Sequence, residues 1–399
     1  MNVLLTKELE RIENEIDITE YQFQKIVKTF ETDMENKKML KMLHTYVFPK
    51  FDVTPGEYLA VDFGGTNVRA VLYEVTDKNK INVKVNTSFK LKDEKHDYTS
   101  NKYTLSDVFD VIAKEIGKII DKDKEYLLGH TFSFPTEFRA KNEAILLDFS
   151  KGFDIREAIG NDVNKTFYEA LKKRKLKVTP VNIINDTVAT LLTGKFYYKN
   201  VDIAVITGTG HNICYENSEG ELINVEAGAF SKDLPLSFYD LMHFEENKKI
   251  RNNVMELLTG GKYIGKTADY IIKDFNELGV LKCENEIDGR TLTLALIDEL
   301  DGSFNKETKE ALKYIAKILL RRAAKLVVAE IVAILNGLDS ELKTSHTIIF
   351  DGSVYEKNEY FKECITKYID DHYGSKSQKI QHVFVKDASN IGALLSIFV

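Results

Sequence analysis

Tyr58-Leu59-Ala60-Val61-Asp62-Phe63-Gly64-Gly65-Thr66-Asn67-Val68-Arg69-Ala70-Val71-Leu72-Tyr73-Glu74-Val75 is the stretch that decides the fold. A β run from Tyr58 to Asp62 breaks at Gly64–Gly65 and resumes from Val68 to Val75. Two such runs joined by a glycine-containing turn signal a hairpin. Glycine also lets backbone approach closely and adopt φ > 0. Successive N–H groups in such a turn form a concavity for an anion, and Thr66 adds a hydroxyl donor. Asp62, at the end of the first run, suits Mg²⁺, which takes oxygen ligands and keeps much of its water. Read alone, the segment is an ordinary hairpin more often than a phosphate loop.

The arrangement returns at Ile206-Thr207-Gly208-Thr209-Gly210-His211-Asn212, followed by Ile213-Cys214-Tyr215. Two matching turns far apart suggest a duplicated unit whose loops face each other across a cleft. Together they can cradle a nucleotide triphosphate. Neither fits the Gly-x-x-x-x-Gly-Lys-Ser/Thr loop or the Gly-x-Gly-x-x-Gly fingerprint, so P-loop and Rossmann readings are unsupported.

Around these turns the pattern alternates. Thr19 to Leu43 reads as a charged amphipathic helix with Tyr21, Ile26, Val27, Phe30, Met34, Leu40 and Leu43 inward. Leu105 to Ile120 has helical spacing, and strand-like runs recur at Ile183–Ile184, Ile203–Ile206 and Thr347–Phe350. A long helix is predicted over Lys309 to Leu335, with Asn336-Gly337 as its stop. Strands alternating with helices indicate an α/β protein.

With 399 residues, 43% of them hydrophobic, the chain can bury sizeable cores in two or three domains. Its formal charge of −7, without a basic stripe, gives no footprint for nucleic acid or an anionic membrane. The charged N-terminal segment lacks the apolar core of a signal peptide, and no run is long and uncharged enough to span a bilayer. Cys214, Cys283 and Cys364 share no metal-ligand spacing and read as reduced thiols of a cytoplasmic protein.

Asn185-Asp186-Thr187 follows the apolar run Val181 to Ile184. A carboxylate at a strand end is well placed as a general base, and near pKa ~3.9 it is ionised at neutral pH. Asp186 equally suits the N-cap of a helix starting at Thr187; both roles stay open. Recognition of a sugar needs short polar side chains for each hydroxyl. Ser133, Ser150, Lys151, Asn212, Glu226 and Glu256 are candidates, each also an ordinary surface or turn residue.

At this point the residues resemble a family, the hexokinases, including the glucokinases, of the actin-like ATPase-domain superfamily. The first phosphate motif is similar to Leu59 through Arg69. The sugar loop resembles Thr131-Phe132-Ser133-Phe134-Pro135, and the next segment Leu147-Asp148-Phe149-Ser150-Lys151-Gly152-Phe153. Asn185 through Thr190 is very close to the family pattern. Gly208 through Tyr215 resembles the second phosphate motif, Glu226-Ala227-Gly228-Ala229-Phe230 and Glu256 through Tyr263 the further sugar segments, and Asp351-Gly352-Ser353-Val354-Tyr355 the adenosine motif. The match is collinear over nearly the whole chain. Departures are Ser150 for Thr, Phe149 and Ala227 for Trp, and Asp387-Ala388-Ser389-Asn390 for Asp-Gly-Ser-Gly.

The resemblance implies two actin-like ATPase (ribonuclease-H-like) domains with mixed β-sheets flanked by helices and a ligand cleft between them. The small domain would be 57–185 with 387–399 and the large one 1–56 with 186–386. It implies transfer of a phosphoryl group from ATP with Mg²⁺ to glucose or a related hexose, by a monomer or homodimer. Asp186 would be the base and Lys151 its helper. Sugar contacts would come from Ser133, Ser150, Lys151, Asn185, Asp186, Asn212, Glu226 and Glu256. The nucleotide would be held by Asp62, Gly64, Gly65, Thr66, Asn67, Arg69, Gly208, Thr209, Gly210, Gly352 and Ser353, with Mg²⁺ near Asp62. A silent sugar sensor of the same fold is the alternative; intact Asp186, Lys151 and Thr209 argue against it. A chaperone-like or filament ATPase has no use for sugar residues, and a glycosidase none for two phosphate turns.

Overall fold

The computed structural model describes residues 3–399 apart from 66, 78–79 and 150–152. Chain contacts divide it into two units. One comprises the chain up to Met42, Val205–Ile213 and Val225–Phe384; the other comprises Leu43–Ala204, Cys214–Asn224 and Val385–Val399.

The second unit is built on the hairpin. Strands Gly56–Phe63 and Asn67–Asp77 pair antiparallel, Asp62 opposite Arg69. Lys80–Lys90 continues antiparallel on one side, while Tyr126–Phe132 and then Val178–Ile184 join parallel on the other. The result is a mixed five-stranded sheet.

Side chains alternate across a strand, and here both faces are covered. Leu59, Val61 and Phe63 pack with Val108, Phe109, Ile112 and Phe167 from helices Leu105–Ile116 and Val163–Lys173. Tyr58, Ala60, Val71 and Tyr73 pack with Ala393, Leu394 and Phe398 of the C-terminal segment. A sheet buried on both faces needs apolar residues at nearly every position, which explains the unbroken run Leu59 to Val61. Helix Asp186–Tyr197 joins the second layer, where Thr193 Oγ1 donates to the Ala388 carbonyl at 2.7 Å.

The first unit is organised by one helix, Lys306–Asp339, 34 residues long and buried along most of its length. Strands His346–Asp351 and Ile380–Phe384 pair parallel in the same unit. Strand Val201–Thr207 carries the chain from one unit into the other. Cys214, Cys283 and Cys364 are buried and unbridged. Among the described residues no helix is long and apolar enough to cross a membrane.

Several local expectations need correction. The predicted helix Thr19 to Leu43 is shorter: Thr19 is its N-cap, it spans Glu20–Asn36, and Lys37 takes a left-handed conformation. The Asp33 carboxylate accepts the N–H groups of Met39 and Leu40, turning the chain back at that end. Tyr21, expected inward, is 77% exposed. Charged residues 3–16 form a further helix, Val3–Ile16, with Leu5, Leu9, Ile12 and Ile16 buried.

The helix expected over Leu105 to Ile120 ends at Ile116, because Lys118 and Ile119 donate instead to Glu115 and Ile116, three residues back. The long helix runs through Asn336-Gly337 to Asp339. An exposed glycine costs a helix only about 1 kcal/mol, which the buried face preceding it outweighs.

Candidate active site

In the second unit, the residues around the first turn converge. Asp62 shares the face of Tyr58 and Ala60, so its carboxylate points toward the C-terminal segment. Thr131 Oγ1, opposite it in the parallel register, donates to Oδ1 at 2.5 Å, and Ser389 Oγ donates to Oδ2 at 2.9 Å. Hydroxyls orient a carboxylate without neutralising it. Among the described residues a Cβ on Gly64 would meet only Ser133 Oγ, at 3.9 Å, so these residues leave room at the turn. Both observations fit a phosphate with its hydrated Mg²⁺. Gly65 is half-buried and Asn67 is exposed. Arg69 is engaged elsewhere: its guanidinium donates to Asp387 Oδ1 at 2.6 Å and to Asn86 Oδ1 at 3.2 Å.

Ser133 is buried; its N–H donates to the Phe63 carbonyl at 3.2 Å. Its Oγ has no partner among the described residues. Buried hydroxyls are normally satisfied, so this one suits a ligand hydroxyl. Behind it stand Phe63, Phe132, Phe134, Phe149 and Phe153, with Phe149 and Phe153 stacked at 5.2 Å between centroids. Phe149 thus occupies its expected Trp position as part of a ring cluster supporting the loop. Thr66, Ser150 and Lys151 lie outside the described residues.

The open choice at Asp186 resolves locally. Asn185 is the N-cap, its Oδ1 accepting from the Thr187 N–H at 2.8 Å, and Asp186 is the first helical residue. Asp186 Oδ1 accepts from the same N–H at 2.8 Å, and Oδ2 has no protein partner among the described residues. A carboxylate in a first turn is favoured by the helix dipole. On the paired strand, opposite Ile183, His130 is fully buried and its Nε2 meets Asn164 Oδ1 at 2.8 Å. Burial pushes the His130 pKa down to about 4, so this imidazole is neutral.

In the first unit, the second turn collects another set. Gly208 N–H donates to the Gly210 carbonyl at 3.0 Å, and the N–H of Gly261 to the Gly208 carbonyl at 2.8 Å. Thr209 is exposed at the turn's tip. Gly352 packs onto the turn with φ +102°; a Cβ there would lie 2.5 Å from the Thr207 carbonyl group. Ser353, next to it, opens helix Ser353–Lys357.

Asn212 Oδ1 accepts the N–H of Ala227 at 3.1 Å, which fixes the segment carrying Glu226. Glu226 itself is left-handed, φ 58°, a strained conformation for a non-glycine residue. Glu256 Oε2 accepts the His211 N–H at 3.3 Å. The fold therefore brings Asn212, Glu226 and Glu256 together around Gly208–Gly210.

Sequence reasoning missed three participants. Thr131 and Ser389 had been quoted without a role; strand parity and register would have pointed Asp62 at them. Glu330, which meets His211 Nε2 at 2.7 Å, was visible as the one acidic residue between Lys325 and Leu335.

Two models of the hexokinase family match the chain, one over residues 8–196 and one over 202–399. Hexokinase-1 of Saccharomyces cerevisiae is 28% identical over 451 residues, covering 98% of this chain and 91% of the relative. A solved hexokinase of Schistosoma mansoni, complexed with glucose, superposes with TM-score 0.86 at 24% identity over 98% of each chain. A ROK family glucokinase from Streptomyces griseus, in complex with glucose and AMPPNP, has TM-score 0.55 at 15% identity, over 85% of this chain and 98% of that one. These structures share the two-domain actin-like architecture. With the family matched from residue 8 to 399 except for 197–201, and the phosphate turns and polar residues arranged as above, the chain belongs to the hexokinase family and is a hexose kinase.

Proposed function

We propose that this hexose kinase transfers the γ-phosphoryl group of MgATP to the 6-hydroxyl of D-glucose and of related hexoses such as mannose and fructose, the first step of glycolysis in the cytoplasm. The observation that carries the reading is Asp186, held in a helix's first turn with Oδ2 unpartnered among the described residues. The unpartnered buried Ser133 hydroxyl supports it. Asp186 takes the proton of the 6-hydroxyl as that oxygen bonds to γ-phosphorus and the bond to the bridging oxygen breaks, releasing ADP.

Ser133, Ser150, Asn185, Asn212, Glu226 and Glu256 pair the sugar hydroxyls, and Lys151 contacts both sugar and phosphoryl oxygen. The backbone around Gly64, Gly65 and Thr66 and around Gly208, Thr209 and Gly210 holds the phosphates, with Gly352 and Ser353 beside the adenosine. Asp62 would hold Mg²⁺, which would supply charge neutralisation. The working bodies are 57–185 with 387–399 and 1–56 with 186–386. The AMPPNP and glucose bound by the Streptomyces glucokinase support the choice of nucleotide and sugar.

ADP release from MgATP across a hexose panel, with ³¹P NMR of the product, tests the assignment. Glucose should stimulate turnover and carry phosphate on O6. Asp186→Ala should lower kcat by roughly 10²–10⁴ with little change in sugar affinity. Near-normal turnover in that variant excludes the base. Hexose binding without turnover in the wild type would replace this reading by a sugar sensor.

A further inference from the structure

The second half of the long helix is apolar and buried from Leu326 to Leu335, except for Glu330. Its side chain is fully buried, and so is that of His211, whose Nε2 lies 2.7 Å from Glu330 Oε2. A carboxylate oxygen accepts, so the imidazole donates through Nε2–H. The outer atoms of the pair, Glu330 Oε1 and His211 Nδ1, have no partner among the described residues. As a device for stability this is poor, because apolar residues of similar volume do as well or better in such a place.

The pair's location is informative. His211 directly follows Gly210, its N–H donates to Glu256 Oε2, and its carbonyl lies 3.1 Å from where a Cβ on Gly228 would stand. One residue thus joins the phosphate turn, the Glu226 segment and Glu256. Its side chain is tied to the long helix Lys306–Asp339, buried along most of its length. Resting on the function proposed above, we propose that His211 and Glu330 are positioning residues. The helix fixes His211 through a directional hydrogen bond, and His211 fixes Gly210 and Glu256 through its backbone.

The test compares wild type with Glu330→Gln, Glu330→Met and the double variant His211→Leu/Glu330→Met. Thermal midpoints and calorimetric affinities for AMPPNP and glucose are measured on each. Glu330→Met should bind both ligands roughly tenfold more weakly, less than the roughly 10²-fold that a 1 Å misplacement can cost. Glu330→Gln keeps an acceptor for Nε2–H and should stay within about threefold. The double variant, with no orphaned polar atom, should recover the thermal midpoint yet keep the weakened binding.

Binding that recovers together with the midpoint in the double variant would overturn the proposal, since the pair would then be structural only. So would a folded Glu330→Gln protein with the full tenfold loss. If wild type binds neither ligand, the ATP and glucose assignment falls. If wild type binds both and Glu330→Met binds them equally well, only the positioning role falls.

Discussion

Glu256 lies so close over Gly210 that a Cβ on that glycine would stand 2.3 Å from the carboxylate Oε2 and 3.1 Å from Cδ. The same Oε2 accepts the His211 N–H. Gly210→Ala would therefore push the Glu256 carboxylate aside, and only its flexible end has to move. Hexose affinity should fall about 10–100-fold, the worth of a hydrogen bond to a charged group, while the thermal midpoint stays near wild type. Unchanged affinity for glucose would mean Glu256 does not contact the sugar.

Gly352 presents the opposite case. An alanine there must adopt φ +102° and press its Cβ to 2.5 Å from the Thr207 backbone, which has no flexible end to yield. Strain of about 1–3 kcal/mol from the dihedral alone adds to the backbone collision. Gly352→Ala should lower the urea midpoint clearly. A stability within error of wild type would show that the turn can separate from this segment at no cost.

Two hydroxyls donate to the Asp62 carboxylate, Thr131 at 2.5 Å and Ser389 at 2.9 Å. Ser389→Ala removes one of them at a half-buried position. The loss of about 1 kcal/mol should appear as a KM for MgATP raised about fivefold, steepest at low Mg²⁺, with kcat nearly kept. A KM independent of this change would separate Ser389 from the metal-holding role.

Arg322 and Asp240 form a fully buried pair, with Nη1–Oδ2 at 2.5 Å and Nη2–Oδ1 at 2.9 Å. Burial by itself raises the Asp240 carboxyl, but the Arg322 charge and hydrogen bonds, with Ser237, hold it below its ordinary value. Arg322→Met strands that charge in the core. Stability should fall by about 3–5 kcal/mol in urea unfolding, and a loss under about 1 kcal/mol would contradict the assignment of both groups as charged.

Acid should weaken the fold before the carboxylates titrate. Burial depresses His130 to about 4, against its hydrogen bond with Asn164, and depresses His243 to about 4 as well. An unfolded histidine takes its proton near pH ~6.5, so the unfolded chain binds protons first as pH falls. Stability is fully present above that value and is lost progressively from about 6.5 down to about 4, by up to about 3 kcal/mol for His130. Urea midpoints at pH 7.5 and 5.0 measure the slope. In His130→Gln the slope should flatten, and an unaltered slope would assign the acid sensitivity to other groups.

Much of the second unit was legible because its information is local. The alternation through Tyr58–Phe63, the break at Gly64–Gly65 and the resumption at Val68 are periodicity and turn chemistry, and the strands form there. Helix ends were less legible. The helix expected over Thr19 to Leu43 stops at Asn36 because the Asp33 side chain captures Met39 and Leu40, a competition that apolar spacing does not register. At Asn185-Asp186 either residue type can cap, and only the backbone geometry chose Asn185.

By itself the sequence determined the hairpin about Gly64–Gly65, the strand runs at Ile183–Ile184, Ile203–Ile206 and Thr347–Phe350, and that Asp186 would sit at a strand-to-helix junction. Each is settled by side-chain periodicity and backbone preference within a few residues. Strands such as Lys80–Lys90 and Tyr126–Phe132 were not legible in the sequence. Tertiary structure alone decided the partners of the functional groups. Ser389 reaches Asp62 across 327 positions of chain, and Glu330 reaches His211 across 119. A carboxylate in an apolar helix shows that some partner must exist, because burying a lone charge is too costly. Which partner it finds depends on how the elements pack, and chain proximity carries no record of that.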